Sequence, residues 1–422
     1  MTKILICTVG GSHQPIVSAI NEQRPDYVIF ICTGKDPATG RPGSSIQITG
    51  VGNCIKAQFI DDKPTLPNIP TQTGLTAEQY EMCCTLSDDL DRIYLDCNNA
   101  INAVLRRFPN AKIIADYTGG TKSMSAGLAM VALEHQDIEL QLVTGSRSDL
   151  IKVPDGSQYA ICANIEQIRF ERLIAPYRQA WTRYAYSEAE AGLSQITAPR
   201  SSDLRGQFSK FRDLSRAFAE WDNFNHREAF AIIKRYASSL PSITNQAIAR
   251  LNTNTAKREP AQLFDLYLNA LRRANQGRYD DAIARVYRLI EWTAQWLLKT
   301  QCNIDTANVD ETDIPEGITL TQNKAGLIDA WQLVKHKTTG EASRFIEREE
   351  KELLNHIKTR NNSILAHGFE PVKLSDWQPI QLWLEQQFIP MLLAETSRIG
   401  IKELPTQLPP EYSELNRTGD KL

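Results

Sequence analysis

Two basic side chains near the C-terminal end of the chain have the types and the spacing to act together on a phosphodiester. Arg360 and His367 lie in a segment that we expect to be helical from residue 341 to residue 367. Seven residues of α-helix advance about 700°, so both side chains would lie on one face, roughly 10 Å apart along the axis. An arginine can bind a phosphate, and a histidine can give or take a proton near neutral pH.

The predicted helix also places these residues beside an apolar stripe and near a helix end. Gly368 would terminate the helix, so that His367 occupies the last turn, where the helix dipole favours a protonated imidazole. Asn361 could orient the ribose or the phosphate. The edge of an apolar stripe is where a helix meets a partner helix or a second subunit. A structural interpretation stays open, because an Arg and a His two turns apart often occur by chance.

Two glycine-containing loops in the N-terminal part each follow an apolar strand. The strand predicted at 111–117 leads into Thr118–Lys122 at the start of a helix, where unpaired N–H groups and the helix dipole favour phosphate. Gly10–Ser12 follows the first strand in the same way. Both loops would lie at the carboxyl edge of a parallel sheet, where such folds bind nucleotides. The glycines could also serve only as tight turns.

Neither loop matches a common nucleotide-binding motif. A Walker A loop needs glycine where Asp116 and Thr121 stand, and the first loop is not a GxGxxG fingerprint. The sequence therefore disfavours an ATPase or a dehydrogenase.

The order of strand and helix signals divides the chain. Strands and helices alternate over residues 1–165, which predicts an α/β domain with a largely parallel sheet and helices on both faces. Residues 166–255 are predicted to be helical, and their aromatic side chains are interpreted as core residues, with a stacking platform for RNA as the alternative. A further all-helical domain is expected at 256–400. We expect residues 401–422, which contain three prolines, to form a loosely ordered tail.

Composition excludes several functional classes. The net charge of −3 over 422 residues argues against a protein that coats nucleic acid, and because no helix is conspicuously basic, we expect no stable DNA binding. The eight cysteines form no CxxC pair and have no metal-ligand spacing with histidine. No stretch approaches the roughly 18–20 apolar residues of a membrane span. We therefore predict a soluble cytoplasmic protein with no metal, no other cofactor and no membrane attachment.

The run Asp-Tyr-Thr-Gly-Gly-Thr-Lys-Ser at 116–123 resembles the CRISPR-associated Rossmann-like (CARF) sensor domain. In that family two sensor domains pair about a two-fold axis and bind a cyclic oligoadenylate across the seam. The resemblance implies such an activator here, with cyclic tetra-adenylate as the expected ring. The ligand-facing candidates that it implies are Thr8, Gly10, Gly11, Ser12, His13, Gln14, Thr33, Thr118, Gly119, Gly120, Thr121, Lys122, Thr144 and Gly145.

The segment 360–367 resembles the Arg-x(4–6)-His motif of HEPN ribonucleases, in its Arg-Asn form. Residues 280–291 resemble that family's first helix. In the family, two motif copies meet across a dimer interface, and the ribose 2′-OH attacks the adjacent phosphodiester without a metal to leave a 2′,3′-cyclic phosphate. The resemblance implies a homodimer that cleaves single-stranded RNA, with Arg360, Asn361 and His367 as catalytic residues.

Together the two motifs identify the chain as a CARF–HEPN ribonuclease of type III CRISPR defence. The fold that this implies is a Rossmann-like CARF domain, a helical connecting region and an all-α HEPN domain at 256–400. Two alternatives stay open. The chain could be a non-catalytic, ligand-responsive regulator, or its sensor domain could also cleave the cyclic activator, with Ser12, His13 or Lys122 involved.

Overall fold

Alternating strands and helices at the N-terminal end build one sheet in the computed structural model. The residues that this structure describes are 1–37, 40, 42–50, 67–145 and 158–416. The strands are Lys3–Thr8 (β1), Tyr27–Thr33 (β2), Tyr80–Thr85 (β3), Lys112–Asp116 (β4), Ile138–Gly145 (β5) and Gln158–Cys162 (β6). The helices of this part are Gln14–Gln23 (α1), Ile46–Thr49 (α2), Ile69–Thr73 (α3), Leu90–Arg107 (α4) and Lys122–Glu134 (α5).

The strand order is β3-β2-β1-β4-β5-β6, and every described pair is parallel except β5 with β6. Successive side chains of a strand point to opposite faces. In β1, Ile4 and Ile6 pack in the cluster that contains α4 and α5 residues, whereas Leu5 and Cys7 pack in the cluster that contains α1 residues. The predicted parallel sheet with helices on both faces is therefore confirmed.

Two strands at the edges of the sheet were not predicted. β3 and β6 expose alternate residues, and β3 contains Glu81 while β6 begins with Gln158, so neither has the continuous apolar run that marks the central strands. Residues 51–66 lie outside the described residues.

The remainder of the described chain is helical. Its α-helices are Glu166–Trp181 (α6), Tyr186–Ser194 (α7), Ser202–Asp222 (α8), His226–Ile233 (α9), Ser242–Leu251 (α10), Arg258–Asn275 (α11), Tyr279–Leu297 (α12), Leu327–Lys337 (α13), Glu341–Asn361 (α14), Leu374–Trp383 (α15) and Ile389–Ser397 (α16). Short π-helical segments at 298–302 and 384–388 extend α12 and connect α15 to α16. None of the described helices is both long and apolar enough to span a membrane.

The chain forms two compact units, Met1–Leu173 and Ile174–Leu422. In the second unit, aromatic residues expected to be core are buried. They are Trp181, Phe208, Phe211, Phe218 and Trp221. The finer division at residues 166, 256 and 401 remains a prediction.

The expectation of a loosely ordered tail is wrong for its described residues, 401–416. Leu408 and Leu415 are buried, and the Tyr412 ring packs on the Trp181 ring at 5.5 Å between centroids. Arg272 Nη1 also donates to Gln407 Oε1 at 2.6 Å. Proline prevents a regular helix here, but it does not prevent side-chain packing.

Candidate functional site

The two glycine loops of the sheet domain lie against each other, because β1 and β4 are parallel neighbours and both loops leave the same edge. Thr8 is fully buried, and its hydroxyl donates to the Gly119 carbonyl at 2.7 Å. A Cβ on Gly119 would overlap the Thr8 carbonyl oxygen, and one on Gly10 would lie 2.8 Å from the Gly120 nitrogen. Gly120 also has a positive φ of 79°. Glycine is thus required for this close approach.

The second loop ends at the N-terminus of α5, as predicted. Thr121 is the N-cap residue, and its hydroxyl accepts from the Met124 N–H at 3.2 Å. Lys122 is exposed in the first turn. The Thr118 hydroxyl accepts from the Val143 N–H at 2.6 Å, which ties this loop to β5. The exposed cation therefore lies in the first turn of a capped helix, where a phosphate is favoured.

The first loop combines exposed and partly buried residues. Gly11 and Ser12 are exposed, whereas His13 and Gln14, at the start of α1, are partly buried. Gln47, which sequence reasoning did not single out, is fully buried and its Nε2 donates to the Gly11 carbonyl at 3.2 Å. No sequence signal marked Gln47, since it lies in a segment rich in Gly, Pro, Thr and Ser without a recognisable motif.

Asp116 at the end of β4 is a buried carboxylate beneath the second loop. It accepts from the Thr118 N–H at 3.0 Å and from Gln141 Nε2 at 2.8 Å. Burial raises the pKa of Asp116 above its usual value. Asp116 therefore acts on the loop conformation and does not reach the surface. A lone aspartate at the end of an apolar strand was the signal that could have identified it.

The candidates Thr33, Thr144 and Gly145, which lie at the ends of β2 and β5, are at the same edge of the sheet. Thr33 at the end of β2 pairs with Ser44, whose N–H donates to the Thr33 hydroxyl at 2.8 Å. Thr144 and Gly145 end β5 and are partly buried. The structure thus brings all four predicted loop positions to one edge, although the chain that follows Gly145 lies outside the described residues until residue 158.

The predicted helix from 341 to 367 is wrong at its C-terminal end. α14 ends at Asn361, so Arg360 lies in the last turn and His367 lies beyond the helix. The helical spacing between the two side chains and the dipole argument for His367 therefore do not apply.

A tight loop follows α14 and carries His367. The His367 N–H donates to the Asn361 carbonyl at 3.2 Å, and the Gly368 N–H donates to the Ser363 carbonyl at 3.1 Å. A Cβ on Gly368 would overlap the Asn362 carbonyl oxygen. Gly368 is thus not the C-cap of a helix that ends at His367. Its missing side chain lets the loop fold back on the end of α14.

Arg360 is positioned by aromatic stacking. Its guanidinium carbon lies 4.4 Å from the ring centroid of Tyr287 on α12, and its Nη1 donates to Asn361 Oδ1 at 3.1 Å. His356, one turn earlier on α14, lines a small crevice together with Arg360 and Tyr287. Its ring packs on the Trp383 ring at 4.8 Å between centroids, and burial lowers the pKa of His356. No sequence signal marked Tyr287 as the stacking partner of Arg360.

Large apolar side chains surround His367 at the surface. Ile364 and Leu365 are 57% and 54% exposed, and Phe369 is 92% exposed. His367 and Asn361 are also exposed. The structure therefore offers an imidazole, an amide and a stacked guanidinium in a segment that also exposes large apolar side chains. Among the described residues, no group of three or more His, Cys, Asp or Glu could hold a metal ion.

Comparisons with known proteins cover both parts of the chain. Residues 252–388 match the family model of the Csm6 HEPN domain. Csm6 from Enterococcus italicus, solved bound to cyclic hexa-2′-fluoro-hexa-dAMP, is similar over 94% of this chain and 95% of its own, with 14% identity and a TM-score of 0.59. Can2 from Sulfobacillus thermosulfidooxidans, solved with cyclic tetra-adenylate, matches 57% of this chain and 69% of its own at 13% identity. Its TM-score of 0.24 is too low to support a structural argument. No curated protein sequence matches.

Proposed function

We propose that the chain is a Csm6-like CARF–HEPN protein of type III CRISPR systems and that it acts as a cyclic-oligoadenylate-activated endoribonuclease; the match of residues 252–388 to the Csm6 HEPN model and the fold shared with Csm6 support this proposal. It acts as a homodimer in the cytoplasm, cleaves single-stranded RNA without a metal ion, and responds to cyclic tetra-adenylate. The observation that carries the proposal is the side-chain arrangement at the end of α14. Arg360 is held on Tyr287 while His367 is presented to solvent on the following loop.

The proposed reaction needs only these side chains. One His367 imidazole takes the proton of the ribose 2′-OH, and the oxygen attacks the adjacent phosphorus. The bond from phosphorus to the 5′-oxygen breaks, and this oxygen takes a proton from the protonated His367 of the second subunit. The products are a 2′,3′-cyclic phosphate and a 5′-hydroxyl. Arg360 stabilises the negative charge that develops on the phosphoryl oxygens, and Asn361 orients the RNA.

The apolar surface around His367 supports a composite site in a dimer. One imidazole cannot be base and acid in the same step, so two motif copies facing one phosphodiester complete the chemistry. Exposed side chains such as Phe369 would be buried when the second copy packs on this surface. Two-fold symmetry places the same patch on both subunits.

The two loops of the sheet domain support the sensor role. Exposed Lys122 and the N-terminus of α5 suit a phosphate, and exposed Gly11 and Ser12 allow a ligand to approach the backbone. Activation then requires the ligand to bind more tightly to the active arrangement than to the inactive one.

The function is tested by incubating the purified protein with labelled single-stranded RNA, with and without cyclic tetra-adenylate or cyclic hexa-adenylate. We expect cleavage only when an activator is present. An absence of cleavage with every activator would favour a non-catalytic regulator. Chromatography of the activator from the same reactions tests whether the sensor domain also opens the ring.

Replacing Gly119 with alanine should separate the two sensor loops, because the new Cβ overlaps the Thr8 carbonyl oxygen. We expect the activator concentration for half-maximal cleavage to rise at least ten-fold, since 1.4 kcal/mol of lost binding free energy has that effect. Gly11→Ala is the matched comparison, because no atom lies within 4 Å of its Cβ. The Gly11→Ala protein should have the melting temperature of the unsubstituted protein, so a loss of activation in this variant would indicate that the ligand contacts Gly11. An unchanged half-maximal concentration for Gly119→Ala contradicts the loop assignment.

Replacing Phe369 with aspartate should weaken the dimer. Each subunit would lose roughly 1.5–3 kcal/mol of side-chain burial, and both subunits carry the change. We expect the dimer dissociation constant, measured by sedimentation equilibrium, to rise at least about ten-fold, with a parallel loss of RNA cleavage. Ile243→Asp, at an exposed apolar residue on α10, is the control. Equal dissociation constants for the two variants would place the interface elsewhere.

A further inference from the structure

A cavity lined by arginines lies within the helical unit, apart from the catalytic loop. Its volume is about 460 Å³, within the range of small-molecule sites. Its wall is formed by four segments: the residues between α6 and α7, the end of α8, the end of α11 and the start of α12. The cationic side chains of this wall are Arg183, Arg273, Arg278 and Arg285, and we refer to it as the arginine cavity.

Arg273 is the buried cation of the arginine cavity, with a side chain that is 9% exposed. Its guanidinium bonds to an Asp222 carboxylate oxygen, and its Nη1 donates to Gln276 Oε1 at 3.0 Å. Its Nε is buried without a hydrogen-bond partner. A buried N–H donor without a partner costs free energy, and a ligand acceptor in the cavity would remove this cost.

Arg285 lies beside Arg273 in the same wall. Its Nε donates to Asn269, and its Nη1 donates to the Asp281 carbonyl at 3.0 Å. Burial lowers the pKa of Arg285, and the positive charge of Arg273 lowers it further. Two guanidinium groups that repel each other inside a partly buried cavity favour an anion between them.

The carboxylates of the wall do not cancel its positive charge. Four arginines and two acidic residues, Glu188 and Asp222, line the cavity. Asp281, next to the cavity, pairs with both Arg278 at 2.6 Å and Arg285 at 3.4 Å, so four guanidinium groups share three carboxylates. Asp222 is already engaged by Arg272, whose Nε donates to it at 2.7 Å, as well as by Arg273. Glu188 is exposed and lies 3.7 Å from Arg183. Each guanidinium has five N–H donors, so donors remain for a ligand.

We propose that the arginine cavity binds the phosphate group of a nucleotide. Guanidinium groups match phosphate oxygens in geometry and charge, and arginine is the residue best suited to such recognition. The cavity is larger than a phosphate alone requires. Tyr184 lines the remaining space and offers an aromatic ring for the base.

A competing explanation is that these arginines only stabilise the fold through ion pairs. The two explanations differ at Arg183 and Arg278, whose side chains are 60% and 55% exposed. Exposed ion pairs contribute little to stability. Removing these two side chains should therefore leave the melting temperature nearly unchanged, whereas it should weaken a phosphate ligand strongly.

The test measures binding of AMP, inorganic phosphate and a fluorescent single-stranded RNA to the full chain. All proteins carry His367→Ala and no activator is added, so the outcome does not depend on RNA cleavage. We compare the parent with the double variant Arg183→Ala/Arg278→Ala. The matched control is Arg288→Ala, a 48% exposed arginine on α12 that pairs with Glu291 outside the cavity.

We expect the double variant to weaken AMP binding at least about ten-fold, and the Arg288 control to stay within two-fold of the parent. If RNA affinity falls in parallel, the phosphate belongs to RNA. If only AMP and phosphate are affected, the ligand is a free nucleotide. Absence of AMP binding to the parent, or equal AMP affinity in the double variant and the control, overturns the proposal.

Discussion

Replacing His367 with alanine is expected to lower activated RNA cleavage by about 10²–10⁴-fold, because the proposed reaction uses the His367 imidazole of one subunit as base and that of the second subunit as acid, and the substitution removes both. The side chain is exposed on the loop after α14, so its loss should leave the melting temperature unchanged. Initial cleavage rates at a saturating activator concentration measure the effect. Activator affinity, measured by titration, should also remain that of the unsubstituted protein.

His336 provides the matched control for this prediction. It is an exposed histidine on α13 of the same helical unit, and it lies outside the motif. His336→Ala should retain the full cleavage rate. If both histidine variants cleave RNA at the rate of the unsubstituted protein, the catalytic assignment of His367 is wrong, and the nuclease activity of the chain depends on other residues.

Replacing Gly368 with alanine is expected to abolish most of the activity through the position of His367. The added methyl group overlaps the Asn362 carbonyl oxygen, so the loop must open and move the imidazole away from the phosphate. A displacement of about 1 Å can cost on the order of 10²-fold in rate. Cleavage rates measure the loss, and the melting temperature and activator affinity should change little.

Gly206→Ala is the control for a glycine-to-alanine change. Gly206 lies on α8, and no atom lies within 4 Å of its Cβ. Alanine should raise stability there by roughly 0.5–1 kcal/mol and leave the cleavage rate unchanged. A Gly368→Ala protein that retains full activity would show that the close packing of this loop on α14 is not needed for catalysis.

The central part of the sheet domain was predictable because its sequence signals are local and strong. Strands such as β1 and β2 are almost entirely apolar, and both glycine loops directly follow such strands. Parallel pairing then brings the loops together without further information. The partners of the loops were not predictable, since the contact of Gln47 with Gly11 joins segments 36 residues apart.

The end of α14 was mispredicted because the apolar periodicity continues past it, although Asn361, Asn362 and Ser363 are weak helix formers. Leu365 and Ala366 are good helix formers, and nothing in the apolar pattern stops the helix before Gly368. The helix ends instead where Gly368 folds back on Asn362, a contact that periodicity does not encode. The motif residues were therefore identified from their types, while their geometry needed the structure.

The tail and the arginine cavity show a further limit of sequence reasoning. Three prolines predicted disorder, yet Leu408 and Leu415 are buried against the helical unit. The wall of the arginine cavity comes from four separate segments, and three of them contribute one or two arginines that resemble ordinary surface residues in the sequence. Only tertiary packing brings Arg183 close to Arg278 and Arg285.

The most direct test of the central claim is an end-group analysis of the cleaved RNA. The protein is incubated with single-stranded RNA, activator and an excess of EDTA, and the products are analysed by mass spectrometry. If two His367 side chains act without a metal, we expect full cleavage activity in EDTA and products with 2′,3′-cyclic phosphate ends. We also expect no cleavage on the 3′ side of a 2′-deoxynucleotide placed in the RNA, because the attacking 2′-OH is missing there. Cleavage that stops in EDTA, or products with 3′-hydroxyl ends, would contradict the account.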